Sequence, residues 1–245
     1  MDYAEKIVEY YDELFPVTKD EKSFFEDLVK SSAIESRILS IGCGTGVLEH
    51  HLAKKGCNVT GIDDNYCLLN SATRKSKPVY ANIRFFSMSP LEMSHFLTQG
   101  FFTHIFCVSN RLIYISEIKI MKKIFADCKS LLHPGGCFVF QLPNYSYYIS
   151  KGETLLPVSK SIRAKLLSKL IFAKGKSPVF LQQVETSTGN LVTIVDHKPI
   201  VLLLKDTITE WAKELGYTKV DYFSSFNKEP FDEKTSLTMV CIMQL

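Results

Sequence analysis

Three glycines, at positions 42, 44 and 46, punctuate the run Leu39-Ser40-Ile41-Gly42-Cys43-Gly44-Thr45-Gly46. Without a Cβ the backbone can approach a ligand closely, and a strand-to-helix turn offers the N–H groups of the helix start to the ligand's polar end. A dinucleotide fingerprint G-x-G-x-x-G would require glycine or alanine at position 47, and Val47 is neither. NAD and FAD are therefore not expected, because their pyrophosphate uses that spacing. The next apolar run, Val59-Thr60-Gly61-Ile62-Asp63, ends in a carboxylate 17 positions past Gly46. An acid at the tip of a second parallel strand can accept hydrogen bonds from both hydroxyls of a ribose. Loop and acid together read as a site for an adenosine-type ligand without a pyrophosphate, with the adjacent Asp64 as the alternative acid.

Such a loop needs a strand before it and a helix after it, and the apolar rhythm supplies both. Ile38 to Ile41 reads as a strand, Val47 to Lys55 as a helix ending at Gly56, Asn58 to Ile62 as a strand and Tyr66 to Lys75 as a helix. Ile83 to Phe86 and His104 to Val108 follow as strands, Glu117 to Leu132 as a helix and Cys137 to Leu142 as a strand. This alternation predicts an α/β fold, a doubly wound, Rossmann-like and mostly parallel sheet with helices on both faces. Two helices precede it, one from Tyr3 to Phe15 stopped by Pro16, the other from Asp20 to Ser31.

After Asn144 the rhythm breaks. Ser159 to Phe172 places Ile162, Leu166, Leu167, Leu170 and Ile171 at helical spacing, with Lys160, Arg163, Lys165 and Lys169 mostly on the other side. Val179 to Val184 and Leu191 to Val195 read as strands joined by Ser-Thr-Gly-Asn, with Ile200 to Leu204 extending them to a small antiparallel β insertion. The core then resumes with a helix from Asp206 to Leu215 and strands at Lys219 to Phe223 and Ser236 to Met243. The expected organisation is an N-terminal helical cap (1–35), a ligand-binding core (36–145 and 205–245) and an inserted lid (146–204).

Composition narrows the class. Of 245 residues, 46% are hydrophobic and 22% charged with a net charge of +3, which excludes a disordered chain and a broad basic coat for nucleic acid. Seven scattered cysteines without a C-x-x-C pair imply neither a disulfide framework nor a zinc site. Asp2, Glu5 and Lys6 stand where a leader would need an apolar run, and no apolar stretch is long enough to span a bilayer. The expectation is a cytoplasmic protein, a monomer or homodimer, without a membrane partner.

The run ILSIGCGTG resembles the first motif of the class I S-adenosylmethionine-dependent methyltransferases. CNVTGIDDNYCLL is similar to their second motif, FTHIFCVSNRLIYI to their fourth-strand motif and LLHPGGCFVFQLPNY to the strand after their fourth helix. AEKIVEYYDELFP resembles the helix that closes over the cofactor in small-molecule members. The resemblance covers nearly the whole chain. It implies S-adenosyl-L-methionine as cofactor and in-line methyl transfer to a small-molecule acceptor, at nitrogen or oxygen rather than carbon. It also assigns positions: Gly42, Gly44 and Gly46 pass under the methionine part, Asp63 takes the ribose hydroxyls, Val108 and Asn110 lie beside the methionine end, and Tyr11 reaches its carboxylate. Two positions depart from the pattern. Family members carry an acid where Ser40 stands and another, near Ser89, at the adenine amino group; each loss of charge weakens binding by about 1 kcal/mol.

On the acceptor side, Asn144 and Tyr145 follow the fifth strand at the ligand-binding edge, where related small-molecule enzymes carry a similar pair. A proton leaving the acceptor would go to Tyr145, to His197 in Asp196-His197-Lys198-Pro199, or to water. His50 and His51, on the helix after the loop, read as packing or surface residues, and Cys43 as a small side chain packed under the strand. Two alternatives stay open: a methyltransferase-fold binding protein that has lost catalysis, and an RNA or protein methyltransferase using the cations of 151–176.

Overall fold

The structure, a computed structural model, describes residues 3–30, 34–75 and 82–245. Asp2 and Ser31, named above, lie outside the described residues. In chain order the elements are α1 (Tyr3–Leu14), α2 (Lys19–Lys30), β1 (Arg37–Ile41), α3 (Val47–Lys54), β2 (Asn58–Asp63), α4 (Tyr66–Lys75), β3 (Ile83–Ser87), α5 (Met93–Phe96), β4 (Phe102–Cys107), a 3-10 turn at Arg111–Tyr114, α6 (Ile118–Leu131) and β5 (Leu132–Pro143). They continue as α7 (Tyr145–Ile149), β6 (Thr154–Leu155), β7 (Ser159–Lys160), β8 (Ala164–Ile171), β9 (Val179–Thr186), β10 (Leu191–Pro199), α8 (Lys205–Leu215), β11 (Lys219–Phe223) and β12 (Thr238–Gln244).

Seven strands form the main sheet in the order β11-β12-β5-β4-β1-β2-β3. The pairs among β3, β2, β1, β4 and β5 are parallel, while β12 runs antiparallel to both of its neighbours. Alternate side chains of each central strand feed opposite cores. Leu39, Ile105, Phe138 and Phe140 join Phe125 and Trp211 on the face covered by α6 and α8. Ile38, Phe106 and Val139 meet Phe24, Phe25 and Leu52 on the face covered by α2 and α3. Strands that are apolar on both sides belong inside a sheet sheltered on both faces, which is why β1, β4 and β5 are central.

The insertion is a second sheet, β10-β9-β8-β6 with β7 also on β8, antiparallel throughout. Here the structure corrects two expectations. Residues 159–171 form strands β7 and β8 and not a helix: Ala164, Leu166, Ser168 and Leu170 are buried at every second position, and Ile162 is 97% exposed in the turn before them. Ile200 to Leu204 form no strand; Ile200 and Leu203 are buried where the chain leaves β10 for α8.

Two contacts fix α1 between the sheets. Its Asp12 accepts hydrogen bonds from the Thr45 hydroxyl of the glycine loop and from Lys75 at the end of α4 (2.6 Å). On its far side Glu9 and Glu13 pair with Arg163, which enters β8.

Candidate cofactor and acceptor site

The glycine loop begins where β1 ends. The amides of Gly42 and Cys43 donate to the Ile62 carbonyl of β2, and the Gly44 amide donates to Asp63 Oδ2 at 2.8 Å. The other carboxylate oxygen of Asp63 accepts the Asn65 amide at 2.9 Å. Asp63 thus ties the loop to the β2–α4 turn, while each oxygen keeps acceptor capacity toward the cavity that it lines. Burial pushes its carboxyl upward, against the two amide bonds that pull it down. Asp64 lines the same cavity and is exposed.

Gly42 and Gly44 both have positive φ, and each leaves room for one particular side chain. A Cβ at Gly42 would stand 2.8 Å from Cγ of Arg111, and a Cβ at Gly44 would overlap the Tyr11 ring and hydroxyl. Gly46, at φ 73, caps α3; a Cβ there would meet Phe85 and Ala72, so its close approach serves packing. Tyr11 therefore does reach the loop from α1, as a buried ring stacked on Phe15.

Arg111 was not singled out from the sequence. Its guanidinium carbon sits 5.4 Å from the Tyr11 ring centre and 5.6 Å from that of Phe15. It makes no ion pair among the described residues, and its Nε is buried without a partner. Burial pulls its pKa down. The available signal was one cation within the apolar run Ile105 to Ile115.

A small pocket of about 30 Å³ lies under the loop, with Arg111 on one side and Glu21, Ser40 and Glu49 also lining it. Val108 lines it too. Ser40 donates to Glu49 Oε1 at 2.5 Å, so the negative charge absent at position 40 is available one hydrogen bond away, on α3. Burial pushes the Glu49 carboxyl up to about 7, with the Ser40 bond opposing; Glu21 is likewise pushed to about 7, chiefly by burial.

This predicts a pH signature. A carboxyl whose folded pKa lies above its unfolded value binds extra protons when folded, so its contribution falls as pH rises from about 4.5 to about 7. Buried His104, held down to about 4 by desolvation, acts in the opposite sense between about 4 and about 6.5. The informative quantity is therefore a difference. Relative to Glu49→Gln, the parent should lose about 3 kcal/mol of urea stability between pH 4.5 and 7.5. A pH-independent difference would mean that Glu49 does not titrate in that range.

The main cavity, about 470 Å³, is lined at the carboxyl ends of β1, β2 and β4 by Ile41, Asp63 and Cys107. Ligands of open α/β sheets bind at this edge. Tyr11, Phe15 and Arg111 close one side and Ile194 and Lys198 of β10 contribute from the second sheet. Ser89 lines it beside Pro90 and Leu91, with its hydroxyl accepting the Leu91 amide at 3.3 Å.

A second cavity, about 360 Å³, shares Phe15, Tyr114 and Gln182 with the first. Asn110 faces this one: it adopts positive φ directly after Ser109 does, and its Oδ1 is buried without a partner. Two consecutive left-handed non-glycine residues at a strand end are a strained feature of the kind that clusters at binding sites.

Three acceptor-side expectations are corrected. The Asn144 amide is spent on the carbonyls of Asp232, Glu233 and Ser236, at 3.4, 3.0 and 2.8 Å, holding the loop before β12; it lines neither cavity. Tyr145 is buried and lines neither cavity, with its hydroxyl unpartnered and its phenol pushed well above the ordinary range by burial, so it is not a base at neutral pH. His197 is exposed and bonds its neighbour Asp196 at 2.6 Å, with the adjacent Lys198 taking the position on the main cavity.

A glycine cradle, an acid at the tip of β2 and a seven-stranded sheet with one reversed strand make a Rossmann-like fold shared with solved S-adenosylmethionine-dependent methyltransferases. Residues 38–136 match the family model described as "Methyltransferase domain". A protein named as a methyltransferase in Geobacillus sp. (strain WCH70) is 36% identical over 106 residues, 43% of this chain and 42% of the relative. A ubiquinone biosynthesis O-methyltransferase of Colwellia psychrerythraea is 28% identical over 117 residues, 48% and 46% of the two chains. This chain thus spans less than half the length of these curated relatives. The solved CcbJ methyltransferase of Streptomyces caelestis superposes with a TM-score of 0.78 at 20% identity, covering 98% of this chain and 96% of that one. Among the described residues no helix is long and apolar enough to cross a membrane, and no group of His, Cys, Asp and Glu could hold a metal ion.

Proposed function

We propose that this chain transfers a methyl group from S-adenosylmethionine to nitrogen or oxygen of a small-molecule acceptor. The observation that carries the reading is Arg111, a part-buried cation whose Nε is buried without a partner, set against Gly42 beside a pocket with two carboxyls. That donor set fits an amino acid end group. Arg111 would hold its carboxylate, the Glu49 and Glu21 side of the pocket its ammonium, and Asp63 the ribose hydroxyls, with Leu68 and Leu91 flanking the base.

When bound, the cofactor supplies an electrophilic methyl on a positively charged sulfur. The chain's part is alignment and exclusion of water, which together can lower such a barrier by up to about 7 to 11 kcal/mol. The rings of Tyr11 and Phe15 cover the loop, α1 is clamped through Asp12, and the second sheet walls the acceptor side. Residues 146–204 in this reading are the lid and 1–35 the cap. The small-molecule reading draws support from the ubiquinone biosynthesis relative and from the size of the second cavity, about 360 Å³. Glu49 beside Ser40 favours retained cofactor binding over a fold that has lost it.

Calorimetric titration with S-adenosylmethionine and S-adenosylhomocysteine tests the reading; absence of binding of both at millimolar concentration would sink it. Asp63→Ala should weaken S-adenosylhomocysteine by roughly 1.5 to 3 kcal/mol through loss of charge-assisted hydrogen bonds. If the variant binds as the parent does, Asp64 or another group holds the ribose.

A further inference from the structure

Among its described lining residues the second cavity carries no charged side chain: apolar groups such as Ile113, Leu156, Leu166 and Phe180 alternate with amides and hydroxyls. Two polar atoms there are fully buried without partners, Asn110 Oδ1 and Tyr148 Oη. Three other polar groups are engaged in a chain, Tyr114 donating to Gln182 at 2.9 Å and Gln182 to Ser168 at 3.0 Å, while Gln141 accepts the Ser109 amide and Thr238 donates to the Ser224 carbonyl. An ion would lose its hydration here with no counter-charge, whereas an uncharged ligand with an N–H would satisfy Asn110.

Resting on the methyl-transfer reading, we propose that the second cavity is the acceptor site and admits its acceptor as an uncharged amine on an apolar body. An amine suits the cavity because no described lining residue can take a proton at neutral pH. The titratable groups that face it are Tyr114 and Tyr148, both pushed upward chiefly by burial, Tyr148 to about 12. An alcohol must shed its proton as it reacts. A neutral amine need not: its lone pair forms the new N–CH3 bond as the S–CH3 bond breaks, that bond's electron pair stays on sulfur, and the resulting ammonium later gives its proton to water. Asn110 Oδ1, as an acceptor, would hold an N–H and leave the lone pair free for the shared boundary with the main cavity, at Phe15, Tyr114 and Gln182.

The test is titration of the protein, with and without saturating S-adenosylhomocysteine, by aniline, benzylamine and benzoate. Aniline is uncharged at pH 7, benzylamine a cation and benzoate an anion. Aniline should bind at least about tenfold more tightly than either ion at pH 7. Benzylamine affinity should rise about tenfold per pH unit above 7 while that of aniline stays flat, because only the free base enters. Tyr148→Phe should weaken aniline about fivefold or more, and Asn110→Asp should turn the preference toward benzylamine at pH 7. Equal binding of an ion, a flat benzylamine profile, unchanged selectivity in Asn110→Asp or no binding of any probe overturns the proposal. Failure of S-adenosylhomocysteine to bind, with amine selectivity intact, would instead overturn the methyl-transfer reading alone.

Discussion

Gly44→Val is expected to abolish S-adenosylhomocysteine binding, a loss of more than about a hundredfold by calorimetry, the largest effect of any single change considered. Two costs add. The residue holds φ +57, where a β-branched side chain is strained, and its first carbon would occupy the volume of the Tyr11 ring and hydroxyl. Tyr11 cannot simply swing away, because α1 is fixed next door by Asp12 on Thr45 and Lys75. The variant must displace either the helix that covers the loop or the loop itself, so the melting temperature should fall as well. Retained affinity would mean that the loop is only a turn and that the cofactor lies elsewhere.

Arg111→Met should separate binding from stability. Cofactor affinity should drop by about 1.5 to 3 kcal/mol, the scale of a charge-assisted hydrogen bond, while the ligand-free protein should melt at the same temperature or higher. The second half follows from the partial burial of a cation with no ion pair among the described residues: a thioether of similar length keeps contact with Tyr11 and Phe15 and removes the desolvation penalty. Arg111→Lys should bind almost as poorly as the methionine variant, since a lysine loses the fork that grips both carboxylate oxygens. Undiminished affinity in Arg111→Met would remove Arg111 from the site; a lower melting temperature would show that ring stacking on the guanidinium outweighs its desolvation.

The core sheet and the cofactor edge were legible because both are local. Strands apolar on both faces, helices at 3.6-residue spacing and a glycine loop followed by Asp63 each lie within a short window, whereas the order of the strands came from the structure. Strand β8 was misread because Leu167 and Ile171 add apolar side chains to its outer face, so the two-residue alternation of Ala164, Leu166, Ser168 and Leu170 was masked by helical spacing. Asn144 stands at the ligand edge of β5, yet its partners are carbonyls some ninety positions along the chain, which no local pattern announces. Arg111 gains its meaning from three separate elements, the turn after β4, the loop after β1 and α1, and Glu49 from a hydrogen bond across to β1.

The second cavity is walled partly by residues of the matched stretch, Asn110, Ile113 and Tyr114 among them, and partly by the antiparallel sheet. Gly42, Gly44, Asp63 and Arg111 all fall within the stretch shared with other methyltransferase domains, whereas Leu166, Ser168, Phe180 and Gln182, which wall the second cavity, lie beyond it. Under the proposed assignment, drift in β8 and β9 would remodel what is accepted and leave the donor's seat unchanged, provided that position 182 keeps a partner for Tyr114. Under that assignment, resemblance within the matched stretch would follow the donor site and carry little information about the acceptor.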